Sequence, residues 1–217
     1  MRLFAAVWPP DDVLDHLDLA LATVRGGPAG ASTAVRWSAR ETWHLTTAFY
    51  GDLPDGAVDG LAADLAEAAR GLAPYDLALR GAGVFSHRTM WVGVGGDVEA
   101  QRRLTAVCAD AGEAAGAFED RRPRERPHLT VARLRPGARP PRRGSSRPAR
   151  GHGPGGDAPG RAAVPSDEDV ARGVARALAV YEGPSWRVDA VLLVASHPGA
   201  GRGGGPLYEV VETFPFG

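Results

Sequence analysis

The 217-residue chain carries 25 basic and 26 acidic residues, a formal net charge of −1, with 44% apolar and 24% charged residues. That balance supports one large domain or two closely packed lobes, and it argues against a chain built mainly to coat duplex nucleic acid, which would be clearly basic. A single cysteine, Cys108, excludes an internal disulfide framework and a cysteine-cluster zinc site, and every basic residue is an arginine.

Residues 2–8 read as a buried strand, too short for a signal-peptide core or a membrane span, so a cytoplasmic protein without membrane contact is expected. Pro9-Pro10-Asp11-Asp12 starts a helix on which Val13, Leu17, Leu21 and Val24 recur at helical spacing, and Gly26-Gly27-Pro28 ends it. Residues 35–37 and 43–50 are β-branched and aromatic and read as strands. A second helix carries Val58, Leu61, Leu65 and Leu72. A strand over 75–80, broken by Gly81-Ala82-Gly83, and another over 89–94 precede a third helix with Leu104, Val107 and Ala111 on one face; Cys108 falls in it as a buried structural thiol. Residues 127–134 form a strand.

The composition then changes. Residues 135–165 are rich in Arg, Gly, Pro, Ser and Ala, and such a segment buries too little surface to offset its ordering entropy, so it is expected to be a flexible insertion. Ser166 and Asp169 stand at capping-box spacing before a helix carrying Val170, Val174, Leu178 and Tyr181. Residues 186–195 and 207–214 close the chain as two strands joined by a glycine-rich loop. The interleaving predicts an α+β fold with antiparallel sheets.

One tripeptide recurs. His44-Leu45-Thr46 and His128-Leu129-Thr130 each lie in a predicted strand. Side chains alternate faces along a strand, so each strand presents an imidazole beside a hydroxyl, with a leucine anchoring the other face. Brought together, two imidazoles could serve as base and acid near neutral pH, and two hydroxyls could bind phosphate oxygens where charge builds. The repeat points to a pair without assigning which partner is the acid.

The pattern resembles the 2H phosphoesterases, named for two His-x-Thr-x motifs, and within them the bacterial RNA 2′,3′-cyclic phosphodiesterases, also called 2′-5′ RNA ligases. The likeness rests on His44-Leu45-Thr46-Thr47-Ala48-Phe49-Tyr50-Gly51 and Arg126-Pro127-His128-Leu129-Thr130-Val131-Ala132-Arg133. Arg2-Leu3-Phe4-Ala5-Ala6-Val7, Gly83-Val84-Phe85, Met90-Trp91-Val92-Gly93-Val94, Ser196, Leu207-Tyr208 and Phe214 add to it. The insertion after Arg135 and the loop over 199–205 are longer than the family pattern.

The resemblance implies a single bilobal unit over 1–217, two pseudo-symmetric α+β lobes with antiparallel sheets facing a central cleft and helices outside. It implies hydrolysis of an RNA or nucleotide 2′,3′-cyclic phosphate to a 2′-phosphate, with His44 as proton donor, His128 as proton acceptor, and Thr46, Thr130 and Arg133 on the phosphate. RNA ends or small cyclic nucleotides would be the partners, with no obligatory protein partner, a monomeric chain, no cofactor and no metal. Arg133 has the wrong parity in a regular strand and would need a bulge; Arg126 has the right parity and is the rival. The alternatives are 2′-5′ ligation at the same site and a non-catalytic RNA-end binding module.

The other histidines have bland assignments: His16 solvated on its helix, His87 in a hairpin turn, His152 in the insertion and His197 in a loop. Their spacings match no zinc pattern. Residues 201–205 lack the Gly-Lys-Ser/Thr ending of a phosphate loop and read as merely flexible. The five tryptophans are assigned to core packing, with Phe49, Tyr50 and Phe85 as candidates to stack on a base.

Overall fold

A computed structural model describes residues 1–117, 126–135 and 166–217. The segment read as an insertion lies, apart from Arg135, outside the described residues, and so does His152. The described residues form strands β1 (Arg2–Val7), β2 (Val35–Trp37), β3 (Leu45–Asp52), β4 (Tyr75–Phe85), β5 (Thr89–Gly96), β6 (His128–Leu134), β7 (Glu182–Val188), β8 (Ala190–His197) and β9 (Leu207–Pro215). The helices are α1 (Asp11–Arg25), α2 (Pro28–Ala31), α3 (Val58–Arg70), α4 (Val98–Ala114) and α5 (Asp167–Ala177).

The strands pair antiparallel throughout, in the order β7-β4-β5-β6-β3-β1-β8-β9, with β2 on the β6 edge. The α+β class and antiparallel pairing are as expected, and the sheet divides into two halves, β3-β1-β8-β9 and β7-β4-β5-β6 with β2. Between them β3 and β6 share a single paired position, Leu45 with Leu129. Beyond it β3 leaves the β6 edge, and β2 takes its place through Trp37–Ala132, Arg36–Arg133 and Val35–Leu134. The halves therefore meet along a narrow seam.

The helices cover the outer faces where their apolar stripes predict. Val13, Leu14, Leu17 and Leu21 of α1 are buried, and α1 packs against β7. Leu61 and Leu65 of α3 and Leu104 and Cys108 of α4 are buried, with α4 against β3 and α3 against β9. The capping box of α5 is formed: the Asp169 amide donates to Ser166 Oγ at 3.2 Å and the Ser166 amide to Asp169 Oδ2 at 3.2 Å. The chain weaves between halves, since β1, β8 and β9 flank β3 while β4, β5 and β7 flank β6.

Three boundaries differ from expectation. Gly81 does not break β4; it takes φ +63° at a register shift, and the strand runs on to Phe85, because one glycine in the left-handed region makes a bulge rather than an end. The predicted strand over 186–195 is two strands: β7 pairs with β4 and β8 with β1, so the chain changes halves at Asp189. Pro28 does not simply follow a helix end but opens the short α2 as its first residue.

Leu45 and Leu129 are almost fully buried. Leu129→Ala should cost about 2–5 kcal/mol, the usual range for a buried Leu truncation, read as a shift of the urea midpoint. An unchanged midpoint would mean the seam between the halves does not support the fold.

Candidate functional site

Both His-Leu-Thr segments sit where a strand begins. His128 is the first residue of β6, and His44 immediately precedes β3 rather than lying inside it. The antiparallel register at Leu45–Leu129 sets His44 across from Thr130 and Thr46 across from His128. The leucines fill the core, and the four polar side chains share the cleft face. All four, with Arg133, line a cleft of about 560 Å³.

Each imidazole is fixed in the same way. His44 Nδ1 lies 2.8 Å from the Thr42 carbonyl and His128 Nδ1 lies 2.9 Å from the Arg126 carbonyl, two residues upstream in both cases. A carbonyl only accepts, so each Nδ1 carries the proton and donates it, and each Nε2 is left to the cleft. His44 Nε2 lies 3.0 Å from Thr46 Oγ1; in neutral His44 the hydroxyl donates to it.

A pair of matching bulges completes the repeat. In β3, Thr47 is the extra residue between the pairs Ala6–Thr46 and Ala5–Ala48. In β6, Val131 is the extra residue between Trp91–Thr130 and Met90–Ala132. Both stand three residues after the histidine. The bulge at Val131 reverses parity, so Arg133 returns to the face of His128 and Thr130 and enters the cleft. Arg126 goes elsewhere: its guanidinium lies over the Trp91 ring at 5.7 Å, and only its carbonyl serves the site.

Aromatic rings wall both imidazoles. Trp8 stacks on His44 with centroids 5.0 Å apart, and Phe4 and Tyr208 lie at 4.9 and 5.2 Å. Phe85 meets His128 edge-on at 4.8 Å, with Trp91 at 6.1 Å. Trp91 lies so close over β4 that a Cβ on Gly83 would come within 2.3 Å of its ring, which makes a glycine necessary there. Burial pushes His44 down from 6.5 to about 4, with the Arg133 and His128 charges adding to the effect and the Thr42 carbonyl opposing it. His128 is also lowered, by burial and then by Arg133, against its Arg126 carbonyl bond. Burial raises the Tyr208 hydroxyl despite Arg133 and Arg2 nearby.

Other expectations fare differently. Tyr50 is fully buried and donates to the Cys108 carbonyl at 3.0 Å, so it cannot stack on a base. Phe49 has Arg2 over its ring at 5.0 Å, and Phe85 lies against His128. His16 bonds Tyr181 Oη at 3.0 Å, His87 pairs with Glu168 at 2.8 Å, and His197 ends β8 facing Glu209 at 3.4 Å. Among the described residues no cluster of three His, Cys, Asp or Glu could hold a metal ion, and no helix is long and apolar enough to cross a membrane. Arg36, Arg202, Trp8 and Tyr208, which no motif or spacing marks as site residues, also stand here, with Trp8 against His44. Arg36, Arg202 and Tyr208 line the cleft. Residues 201–205 are a folded turn, with the Gly201 amide on the Gly205 carbonyl at 2.9 Å, and not merely a flexible link.

A model of the 2′-5′ RNA ligase superfamily matches residues 9–142. An RNA 2′,3′-cyclic phosphodiesterase of Geobacillus stearothermophilus is 37% identical over 122 residues, covering 52% of this chain and 37% of that protein. One of Methanothermobacter thermautotrophicus is 29% identical over 142 residues, covering 62% of this chain and 72% of that protein. Similarity thus spans little more than a third of the first relative's length. Among solved structures, Escherichia coli LigT complexed with 3′-AMP superposes with a TM-score of 0.67 at 20% identity, over 99% of this chain and 97% of that one. A Thermus thermophilus protein, TT0787, superposes with a TM-score of 0.65 at 23% identity, over 100% and 98%. At these identities the structural likeness carries the fold alone.

The depressed His44 couples the site to stability. Between pH 6.5 and about 4 the unfolded imidazole binds a proton that the folded one refuses, so its contribution is complete above 6.5 and is lost as pH falls toward 4. The melting temperature of His44→Asn should therefore fall less steeply than that of the wild type across this window. Parallel curves would show that His44 is not held neutral by its surroundings.

Proposed function

The chain belongs to the 2′-5′ RNA ligase superfamily, and from that membership we propose that it hydrolyses RNA or nucleotide 2′,3′-cyclic phosphates to 2′-phosphates with His44 and His128 as acid and base. The observation that carries this reading is the pair of imidazoles, each with Nδ1 held by the carbonyl two residues upstream, that line one cleft together with Thr46 and Thr130.

An in-line displacement needs the attacking and leaving oxygens on opposite sides of phosphorus, so acid and base must stand on two sides of it. Support for this comes from the origin of the two histidines at the starts of β3 and β6, which belong to different halves of the sheet and line one cleft. His128 Nε2 takes a proton from water as the water oxygen bonds to phosphorus. The bond from phosphorus to the ribose 3′-oxygen breaks, and His44 Nε2–H protonates the departing oxygen. The reaction leaves a 2′-phosphomonoester, with His44 neutral and His128 charged; exchange with solvent restores both.

Thr46 and Thr130 donate to the non-bridging oxygens, and Arg133 supplies a fixed positive charge. Protonation of His44 serves the same end. With Nε2 carrying a proton, Thr46 no longer donates to it, and its hydroxyl hydrogen is released for the phosphate. The anionic substrate in turn raises both imidazole pKa values, opposing the burial that lowers them in the free protein. A 5′-hydroxyl in place of water would run the ligation chemistry at the same groups. RNA ends or small cyclic nucleotides are the proposed partners of a monomeric cytoplasmic chain that needs no cofactor.

His44→Ala and His128→Ala should each lower hydrolysis of a defined cyclic-phosphate oligonucleotide at least about 100-fold, the lower range for acid–base catalysis. A phosphodiester with a p-nitrophenolate leaving group needs little protonation, so His44→Ala should recover on it while His128→Ala should not. Near-wild-type turnover by both variants would reject the pair, and the reverse pattern of recovery would exchange the roles.

The pH dependence of kcat/KM should be bell-shaped, with its maximum on the acid side of 6.5, because both free-protein imidazoles are lowered and the singly protonated pair is most populated there. Activity should persist in excess EDTA. A maximum above pH 7, or loss that zinc or magnesium restores, would contradict this chemistry.

A further inference from the structure

The cleft continues past the two histidines along β2. Arg36 and Arg133 are direct cross-strand partners, and both line the cleft. Like charges placed directly opposite on one sheet face repel. Neither has a carboxylate partner among the described residues. Arg202 and Arg135 line the same wall, with Glu41 as the one acidic residue among the described lining. The wall thus holds four arginines against one carboxylate in a chain whose net charge is −1. Arg36 is also tied in place, its Nη2 donating to the Gly203 carbonyl at 3.3 Å. That bond joins β2 to the turn over 201–205 and sets Arg202 on the same rim.

We propose that Arg36 and Arg202 form a second phosphate subsite, one strand beyond Arg133, which takes the 5′-phosphate of the terminal nucleotide while the cyclic phosphate lies between the histidines. The proposal rests on the phosphodiesterase reading for its orientation and goes beyond it in naming the substrate class: ends that carry a phosphate on the 5′ side, as every internal RNA linkage does, over bare nucleoside cyclic phosphates. Arg36 and Arg133 tolerate each other because two phosphates, not one, divide the charge between them. A planar guanidinium suits this task, as it can hold the Gly203 carbonyl with one edge and a phosphate with another.

The test compares two substrates and two ligands. Wild-type kcat/KM should be about tenfold higher for adenosine 5′-phosphate 2′,3′-cyclic phosphate than for adenosine 2′,3′-cyclic phosphate, in line with a charge-assisted hydrogen bond, and the gain should appear mainly in KM. Arg36→Ala should erase that preference while leaving the bare nucleoside substrate within about twofold. Binding, followed by calorimetry, should show the same contrast between adenosine 2′,5′-bisphosphate and adenosine 2′-monophosphate, again lost in Arg36→Ala and weakened in Arg202→Ala. Equal handling of the two substrates and two ligands by the wild type overturns the subsite. An equal loss on both in Arg36→Ala also overturns it, assigning Arg36 to loop anchoring alone. If neither substrate is hydrolysed but the bisphosphate binds about tenfold tighter, the activity reading fails and the two-phosphate site stands.

Discussion

One apolar pair sets everything that follows. Leu45 and Leu129 are the single position at which the two halves of the sheet meet, and both are sealed in the core. The side-chain period of a strand is two, so a one-residue slip at this pair would turn the cleft-facing imidazoles and hydroxyls into the core and bring leucines into the cleft. Burial of two leucines therefore fixes the register of four polar groups that could not hold it themselves. Placement at strand starts adds a second constraint. Upstream of β3 and β6 the carbonyls of Thr42 and Arg126 are not committed to a ladder, so each can accept from an imidazole Nδ1 and select its tautomer.

The sequence made the periodic part of this architecture legible. Helix stripes such as Val13, Leu17 and Leu21, the Ser166 capping box, and the facing of His44 with Thr46 and of His128 with Thr130 follow from spacing alone. What spacing does not encode is where the ladder slips. The bulge at Val131 turns Arg133 inward, and nothing in Thr130-Val131-Ala132-Arg133 distinguishes that strand from a regular one; only the resemblance favoured Arg133 over Arg126. The same blindness hid the change of halves at Asp189, because Arg187-Val188-Asp189-Ala190 continues an extended pattern while its partners change. Arg36 and Arg202 were missed for a different reason. Each is an isolated arginine in a chain with many, and their proximity arises from pairing between segments about 100 and 170 residues apart.

Burial and the fixed charge of Arg133 act together on the two imidazoles, and a bound anion would act against both. The aromatic walls of Phe4, Trp8 and Tyr208 on one side, and Phe85 and Trp91 on the other, withdraw water from the imidazoles and hold them neutral. Arg133 pushes in the same direction. An anion in the cleft reverses the second effect without removing the first. In the proposed chemistry the imidazolium of the acid is thus disfavoured in the open cleft and favoured beside a phosphate. A net charge of −1 conceals this arrangement, since Arg36, Arg133, Arg135 and Arg202 line the cleft with Glu41 as the one acidic residue among its described lining, while acidic residues cluster at the starts of α1 and α5.

The weave of the chain explains why so narrow a seam suffices. If each half were a separate folding unit, one paired position would leave a hinge, and the spacing of the two imidazoles would drift with every opening motion. Here β8 continues directly from β7 across the seam, and the helix after β1 packs on the half that contains β7. One continuous buried cluster includes Leu3 and Leu193 of the first half with Leu77 and Val188 of the second. Opening the cleft by rotation at Leu45–Leu129 would have to shear that cluster, exposing apolar surface at about 25 cal/mol per Å². The outer core thus holds the two strand starts at a fixed separation, which keeps both histidines and the cleft arginines on the walls of one cavity.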